Sequence, residues 1–305
     1  FNRPRAFGRR ANARLYMTTE TDDRRGVFLL LAAALLFSVM SLLVKLGGET
    51  MPASMLVLAR GVVTLVMSVA WLRFRNIPLW GNDKRFLVLR GVFGLGGLSC
   101  FYFAVTELPL AEVTLIHYLN PVFTAVLAAA FLREAIGGRL AFAIGVSLLG
   151  TLLVARPDFA GVAETPLSHV GVAAAFGGAV FSAFAYVTVR KLSRTDDPNV
   201  IVFYFPLVAV PATLPFALRA WVWPTPVGWL VLLGIGVTTQ LAQVLLTRGI
   251  ALVPAGRATS VGYVQVVFAA AWGYAFFDEA PHPTTFLGAA LIGASVLTLL
   301  RSQAK

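Results

Sequence analysis

The sequence predicts an all-α membrane protein with ten transmembrane helices, arranged as two inverted five-helix repeats. Three observations lead to this fold class: ten long apolar stretches, an internal duplication and a one-sided distribution of basic residues. Of the 305 residues, 58% are hydrophobic and only 13% are charged, whereas charged residues make up about 25% of a soluble domain. The mean hydropathy of +0.80 agrees with a chain that lies mostly in lipid.

Ten stretches contain at most one charged residue each and are long enough to cross a bilayer. The hydrocarbon core is about 30 Å thick, so a crossing helix needs roughly 20 apolar residues and tolerates about 17. We place the spans at about 26–44, 54–72, 86–106, 109–132, 139–155, 169–189, 199–218, 228–247, 254–277 and 284–300. The single cysteine, Cys100, excludes an internal disulfide.

The fourth and ninth spans are two versions of one segment. Pro109–Glu134 and Pro254–Glu279 align without a gap at an offset of 145 residues, and 9 of their 26 positions are identical. Repeats of this kind define the domain organisation. We predict a basic, disordered cytoplasmic tail (1–25), a first five-helix repeat (26–156), an external linker (157–168), a second five-helix repeat (169–301) and a cytoplasmic C-terminus (302–305).

Basic residues determine the predicted orientation. Of the 25 Lys and Arg residues, 21 fall on the side of the N-terminus, including Arg90 near the start of the third span, and three fall on the opposite side. Cytoplasmic loops carry this excess in membrane proteins, so both termini are expected in the cytoplasm. Since most of the basic residues lie between spans, the net charge of +11 indicates membrane topology, and we expect a lipid bilayer and no nucleic acid as partner.

Polar residues in the duplicated segment are the first site candidates. Inverted-repeat transporters bind their substrates near the midplane, where helices are interrupted in matching positions. The fourth and ninth spans carry polar side chains in one register: Thr114, His117, Tyr118 and Asn120, and then Thr259, Tyr263 and Gln265. Thr and Tyr four residues apart share a helix face, but the amides lie about 200° away, unless Pro121 alters the helix locally. The alternative is that these groups only hydrogen-bond neighbouring helices.

Other candidates lie in the second, eighth and ninth spans. Gln243 either lines the same cavity or bonds across helices. Charges within spans are costly, so Arg60 and Arg257 either snorkel to an interface or face the cavity and favour an anionic or zwitterionic substrate. His117 is either a proton carrier or a hydrogen-bonded histidine between helices.

Catalytic motifs are absent from the sequence. It has no HExxH, no paired intramembrane carboxylates, no serine-nucleophile motif and no P-loop. We therefore expect a transporter without cofactor or metal, and not an enzyme. The alternative, an intramembrane enzyme or lipid-handling protein, would need a nucleophile, an acid and a base at one depth; a channel would need a continuous polar stripe.

The chain resembles the drug/metabolite transporter superfamily, specifically its EamA-like ten-helix members. The resemblance rests on FYFAVTELPLAEVTLIHYLNPVFTAVLAAAFLRE (Phe101–Glu134) and on its echo LLTRGIALVPAGRATSVGYVQVVFAAAWGYAFFDE (Leu245–Glu279). Halves in this family have an aromatic-rich third helix, a short turn, and a fourth helix with Pro-Val-Phe at mid-length and an acidic end. NPVF stands at Asn120–Phe123, whereas the second half has QVVF at Gln265–Phe268 and no proline.

The resemblance implies a central cavity between the two halves, lined mainly by the first four helices of each, and alternating access by rocking. It implies a secondary carrier that moves a small polar metabolite, such as an amino acid or organic anion, as an exporter or exchanger. We expect a bacterial inner membrane location. The oligomeric state stays open, and a monomer is plausible.

Overall fold

The computed structural model describes residues 6–107, 116–155, 168–277 and 283–301. This part of the chain folds into helices and contains no strand. In chain order the helices are α1 (Ala6–Gly48), α2 (Ala53–Phe74), α3 (Lys84–Glu107), α4 (Asn120–Leu132), α5 (Gly138–Ala155), α6 (His169–Leu192), α7 (Pro198–Arg219), α8 (Pro226–Leu252), α9 (Ala255–Val261), α10 (Val264–Phe277) and α11 (Pro283–Arg301). Thr114, most of the predicted linker and residues 302–305 lie outside the described residues.

The helices confirm the predicted all-α membrane fold. Residues 22–48 of α1 and all of α2, α6, α7 and α8 are long and apolar enough to cross a bilayer, and α4, α5 and α11 contain shorter apolar helices. Because α9 and α10 together fill the ninth predicted span, the eleven helices of the described residues correspond to ten predicted spans. Helix α1 begins at Ala6, within the segment that the sequence analysis treats as a tail.

The helices pack with the symmetry of the internal repeat. Helix α1 packs most extensively on α8, and its counterpart α6 packs on α3 in the same way. The second helices of the two repeats, α2 and α7, contact each other, as do the fifth, α5 and α11. Each repeat therefore contributes helices to the surroundings of the other, as expected for inverted repeats related by a pseudo-twofold axis.

Two glycines at equivalent positions of the repeats allow the third helix of each repeat to approach the second helix of the other repeat closely. A Cβ atom at Gly91 in α3 would lie 2.7 Å from the carbonyl oxygen of Tyr204 in α7. A Cβ atom at Gly236 in α8, 145 residues later, would collide with the side chain of Val63 in α2. Small residues at helix crossings have this role in membrane proteins.

Side-chain caps fix the starts of three helices in the second repeat. Ser168 accepts a hydrogen bond from Gly171 N at the start of α6, and Thr225 accepts one from Gly228 N at the start of α8. Asp197 caps α7 in the same manner, followed by proline at the first helical position. These residue types satisfy backbone N–H groups that a helix start leaves without an intrahelical acceptor.

Candidate functional site

The helices of the duplicated segment are interrupted at matching positions. In the first repeat, a turn at Tyr118 and Leu119 precedes α4. In the second repeat, a turn at Gly262 and Tyr263 separates α9 from α10. Since Tyr118 and Tyr263 are equivalent in the repeat, the two interruptions coincide within one residue. The ninth predicted span therefore consists of two helices, α9 and α10.

At both interruptions the backbone hydrogen bonds change from the four-residue spacing of an α-helix to a three-residue spacing. Leu119 N bonds to Ile116 O at 3.0 Å, and Val122 N bonds to Leu119 O at 3.0 Å, three residues back instead of four. In the second repeat, Gly262 N bonds to Thr259 O at 3.0 Å with the same spacing. Pro121 explains part of the first interruption because it has no N–H to donate. The second occurs without a proline.

The two interruptions meet each other through the equivalent tyrosines. The rings of Tyr118 and Tyr263 stack, with centroids 5.5 Å apart and planes at 27°. The Tyr263 hydroxyl donates to the carbonyl oxygen of Tyr118 at 2.7 Å. That carbonyl is available because Val122 N bonds to Leu119 O and not to Tyr118 O. The broken helix thus exposes an acceptor at the centre of the molecule, and the other repeat satisfies it.

A basic cluster adjoins the tyrosine pair. Tyr186 of α6 interacts electrostatically with Tyr118 and also with Arg60 and Arg90. Both guanidinium groups lie over the ring of Phe205 in α7, with their Cζ atoms 5.7 Å and 5.5 Å from its centroid. These distances permit cation–π contacts. The cluster joins side chains from α2, α3, α6 and α7.

Arg90 is the most deeply placed cation of the cluster. It is 5% exposed, and its Nε atom is buried without a hydrogen-bond partner in the described part of the chain. Its Nη2 atom donates to Gln243 Oε1 at 3.4 Å. The topology count places Arg90 on the side of the N-terminus, near the start of the third span, and the structure adds that its side chain lies buried inside the bundle. Gln243 is the predicted candidate that the structure brings to this cluster, together with Arg60.

The other polar candidates of the duplicated segment are placed differently. His117 packs on Phe101 with ring centroids 4.8 Å apart, and its Nδ1 atom has no partner within the described residues. Asn120 is buried at the start of α4, and Gln265 is half-buried near the start of α10. Thr259 donates to the carbonyl oxygens of Ala255 and Gly256 in its own helix, each at 3.1 Å, so its hydroxyl is already satisfied.

Arg257 lies in a buried ion pair at the end of the bundle where α9 begins. Its Nη1 atom is 2.8 Å from Asp23 Oδ2, and both side chains are only 9% exposed. Asp23, which the sequence analysis placed in the tail, thus balances this charge. The structure separates Arg257 from the basic cluster and gives it a partner of its own.

A second charged contact ties helices together at the same end. Glu134 follows α4 and accepts hydrogen bonds from Arg190 Nε at 2.8 Å and from Ala255 N at 2.9 Å. Arg190 Nη1 also donates to the carbonyl oxygens of Ile250 and Ala251, at 2.8 Å and 2.6 Å. Together these contacts fasten the ends of α4, α6 and α8 to the start of α9. We call Glu134 and Arg190 the end latch.

Comparison with known proteins agrees with this architecture. The model of the EamA-like transporter family matches residues 24–156 and again residues 169–301. The chain belongs to the EamA-like transporter family. The two matches confirm the predicted resemblance.

Relatives of this EamA-like chain are named as membrane transporters of small molecules. The pseudopaline exporter CntI of Pseudomonas aeruginosa is 32% identical over 281 residues, which cover 92% of this chain and 97% of that protein. Solute carrier family 35 member G1 of Mus musculus is 30% identical, covering 88% and 76%. The riboflavin transporter of Vibrio cholerae is 25% identical, covering 95% and 97%. A solved crystal structure superimposes with a TM-score of 0.80 at 19% identity, covering 92% of this chain and 99% of that one.

Sequence reasoning missed three members of the basic cluster. Arg90 stands near a predicted span end, where snorkelling explains a cation equally well. Tyr186 and Phe205 carry no motif that separates them from other aromatic residues in apolar helices. One signal was available, because the second helices of the two repeats contact each other and both carry members of the cluster.

Proposed function

We propose that this protein is a secondary transporter that moves a small polar metabolite, an amino acid or organic anion, by alternating access. The observation that supports this most is the meeting of the two interrupted helices at Tyr118 and Tyr263. In inverted-repeat carriers, unwound helix segments near the midplane supply the substrate site, and one repeat rocks against the other around it. Membership of a family whose named relatives transport small molecules supports the same conclusion.

The site of this transporter comprises the tyrosine pair and the adjoining basic cluster. Tyr118 and Tyr263 supply aromatic surface, and Gln243, Arg60 and Arg90 supply polar and charged groups. In this proposal the end latch closes the bundle at the end where α1 and α9 meet, so the conformation described here is the one sealed at that end. Opening would separate Glu134 from Arg190 and Ala255.

We further propose a bacterial inner membrane location with both termini in the cytoplasm, and export or exchange as the physiological direction. Two observations support this: the excess of basic residues on the side of the termini, and the similarity to a bacterial exporter. The proposed activity is transport and not catalysis. A lipid bilayer and one small-molecule substrate are its partners, and nucleic acid is not.

Counterflow uptake into proteoliposomes tests the proposal. Vesicles loaded with an unlabelled amino acid, dicarboxylate, tricarboxylate or purine would be diluted into the labelled compound. We expect saturable uptake of one class, lost in Tyr118→Ala and Tyr263→Ala. Tyr274→Ala is the matched control, because that tyrosine is 60% exposed on the outer surface of α10. Uptake that is insensitive to both central variants would place the site elsewhere. Absence of counterflow for every compound in a folded preparation would contradict the proposal.

A further inference from the structure

The basic cluster holds two arginines inside the membrane domain. Arg60 lies eight helical positions into α2, and Arg90 lies seven positions into α3. At about 1.5 Å per residue, both Cα atoms are roughly 10 Å from their helix starts. Phe205 lies against both guanidinium groups, so the two like charges lie beside one aromatic ring. An arrangement of this kind is costly in a low-dielectric interior unless an anion balances it.

The described part of the chain does not provide that anion to Arg90. Its contacts there are the long hydrogen bond to Gln243, the ring of Phe205 and the electrostatic influence of Tyr186 and Arg60. None of these groups is a carboxylate, and the Nε atom is buried without a partner. By contrast, the other buried arginine near a helix start, Arg257, has its carboxylate in Asp23. Within the described residues, Arg257 therefore has a carboxylate partner and Arg90 does not.

The local sequence reserves space for the Arg90 side chain. Gly94 lies one helical turn after it on α3. A Cβ atom at Gly94 would lie 2.5 Å from Arg90 Nη1 and 2.7 Å from the Phe205 ring. The glycine thus lets the guanidinium lie along its own helix, facing Phe205, where a larger residue would displace it. The position of the Arg90 guanidinium is therefore determined by Gly94 and Phe205.

Among the residues that the structure describes, no acidic side chain lies in the middle of a span. Every described carboxylate from residue 22 onward stands at the end of a span or between spans, the group being Asp22, Asp23, Glu49, Asp83, Glu107, Glu134, Asp196 and Asp197. The basic cluster thus offers cations and the Gln243 amide to a ligand, and no described carboxylate adjoins Arg90 to pair with an ammonium group. These groups favour a ligand with a net negative charge over a zwitterionic ligand.

We propose that Arg90, with Arg60 and Gln243, forms an oxyanion subsite that binds the carboxylate of a small organic anion. The guanidinium fork fits a carboxylate in bidentate geometry, and the rings of Phe205 and Tyr186 flank the rest of the ligand. This assignment rests on the proposed transport function and refines it, choosing the organic anion over the amino acid.

Ligand-dependent thermal unfolding of the full chain in lipid nanodiscs tests the subsite without requiring transport. The probes are benzoate and succinate, each paired with its uncharged amide, benzamide and succinamide, and with benzylamine as the cation. We expect at least one carboxylate to raise the Tm, while the amides and the amine do not. Equal stabilisation by acid and amide, or stabilisation by neither carboxylate, would overturn the subsite.

Variants then locate the effect. Arg90→Gln should weaken carboxylate binding on the order of 10- to 100-fold, as expected for loss of a charge-assisted hydrogen bond. Arg85→Gln is the control, since it removes an exposed arginine from the same helix. Without ligand, Arg90→Gln should leave the Tm unchanged or raise it, because it removes a buried charge. An unchanged carboxylate affinity in Arg90→Gln would contradict the proposal.

A second variant keeps the charge and moves it. Gly94→Ala should displace the guanidinium and reduce carboxylate affinity. Gly145→Ala in α5 should not, because no neighbouring atom of the described residues would lie within 4 Å of the added Cβ. Counterflow separates the two levels of the argument. Saturable counterflow of neutral or cationic solutes alone would refute the subsite and leave the transporter. Arginine-dependent carboxylate binding without counterflow of any solute would support the subsite and contradict the proposed transport function.

Discussion

The hydrogen bond between the two interruptions predicts that equivalent tyrosines contribute unequally to stability. In Tyr263→Phe the ring stack remains, but the Tyr118 carbonyl loses the hydroxyl that donates to it at 2.7 Å. No helical N–H replaces this donor, because Val122 N, four residues later, bonds to Leu119 O. Hydrogen bonds between membrane helices contribute about 0.6 kcal/mol on average and at most about 1.7 kcal/mol. Since this acceptor becomes unsatisfied, we expect a loss in the upper half of that range.

The matched control is Tyr118→Phe, which removes the hydroxyl at the equivalent position without removing this bond. Reversible unfolding in mixed micelles would measure the free energy of unfolding of both variants. A loss of about 1 to 1.7 kcal/mol for Tyr263→Phe corresponds to a roughly 5- to 16-fold lower ratio of folded to unfolded protein. The Tyr118→Phe loss should be clearly smaller. Equal losses, or a larger loss in Tyr118→Phe, would refute the assignment of donor and acceptor.

Two further predictions concern the end latch and the helix crossings. Glu134→Gln keeps an acceptor for Ala255 N but removes the charge paired with Arg190, so conformations open at that end should become more populated. An impermeant thiol reagent added from that side should then label a cysteine at the central site faster. An unchanged labelling rate would contradict the role of the end latch. Gly91→Leu and Gly236→Leu should each lower the Tm by a similar amount because they occupy equivalent crossings, whereas Gly145→Leu should have little effect; a Tm loss confined to one crossing would contradict their equivalence.

The sequence was sufficient for the fold because hydrophobic length and charge placement are properties of single segments. Ten apolar stretches and the duplication of Pro109–Glu134 predict the helices, and the family match covers both repeats. The pairing of Tyr118 with Tyr263 was also accessible, because residues on the axis of an inverted repeat meet their own equivalents.

The basic cluster was harder to predict because it depends on how four helices pack. A single arginine four residues inside a span is compatible with snorkelling and with burial, and only the position of Phe205 and Gly94 distinguishes the two for Arg90. The interruption at Gly262 was equally hidden, since it arises without a proline. The pairing of Arg257 with Asp23 joins residues 234 positions apart, a contact that no local pattern contains.

Alternating exposure of the central site is the most direct test of the account. Gln243 would be replaced by cysteine in a Cys100→Ser background, and an impermeant maleimide would be added to oriented proteoliposomes from either side. The account predicts labelling from both sides, because one site opens in turn to each. Arg85→Cys, exposed near one end of α3, should be labelled from a single side and controls for leakage. If the cysteine at 243 is labelled from one side only, the alternating-access account is contradicted.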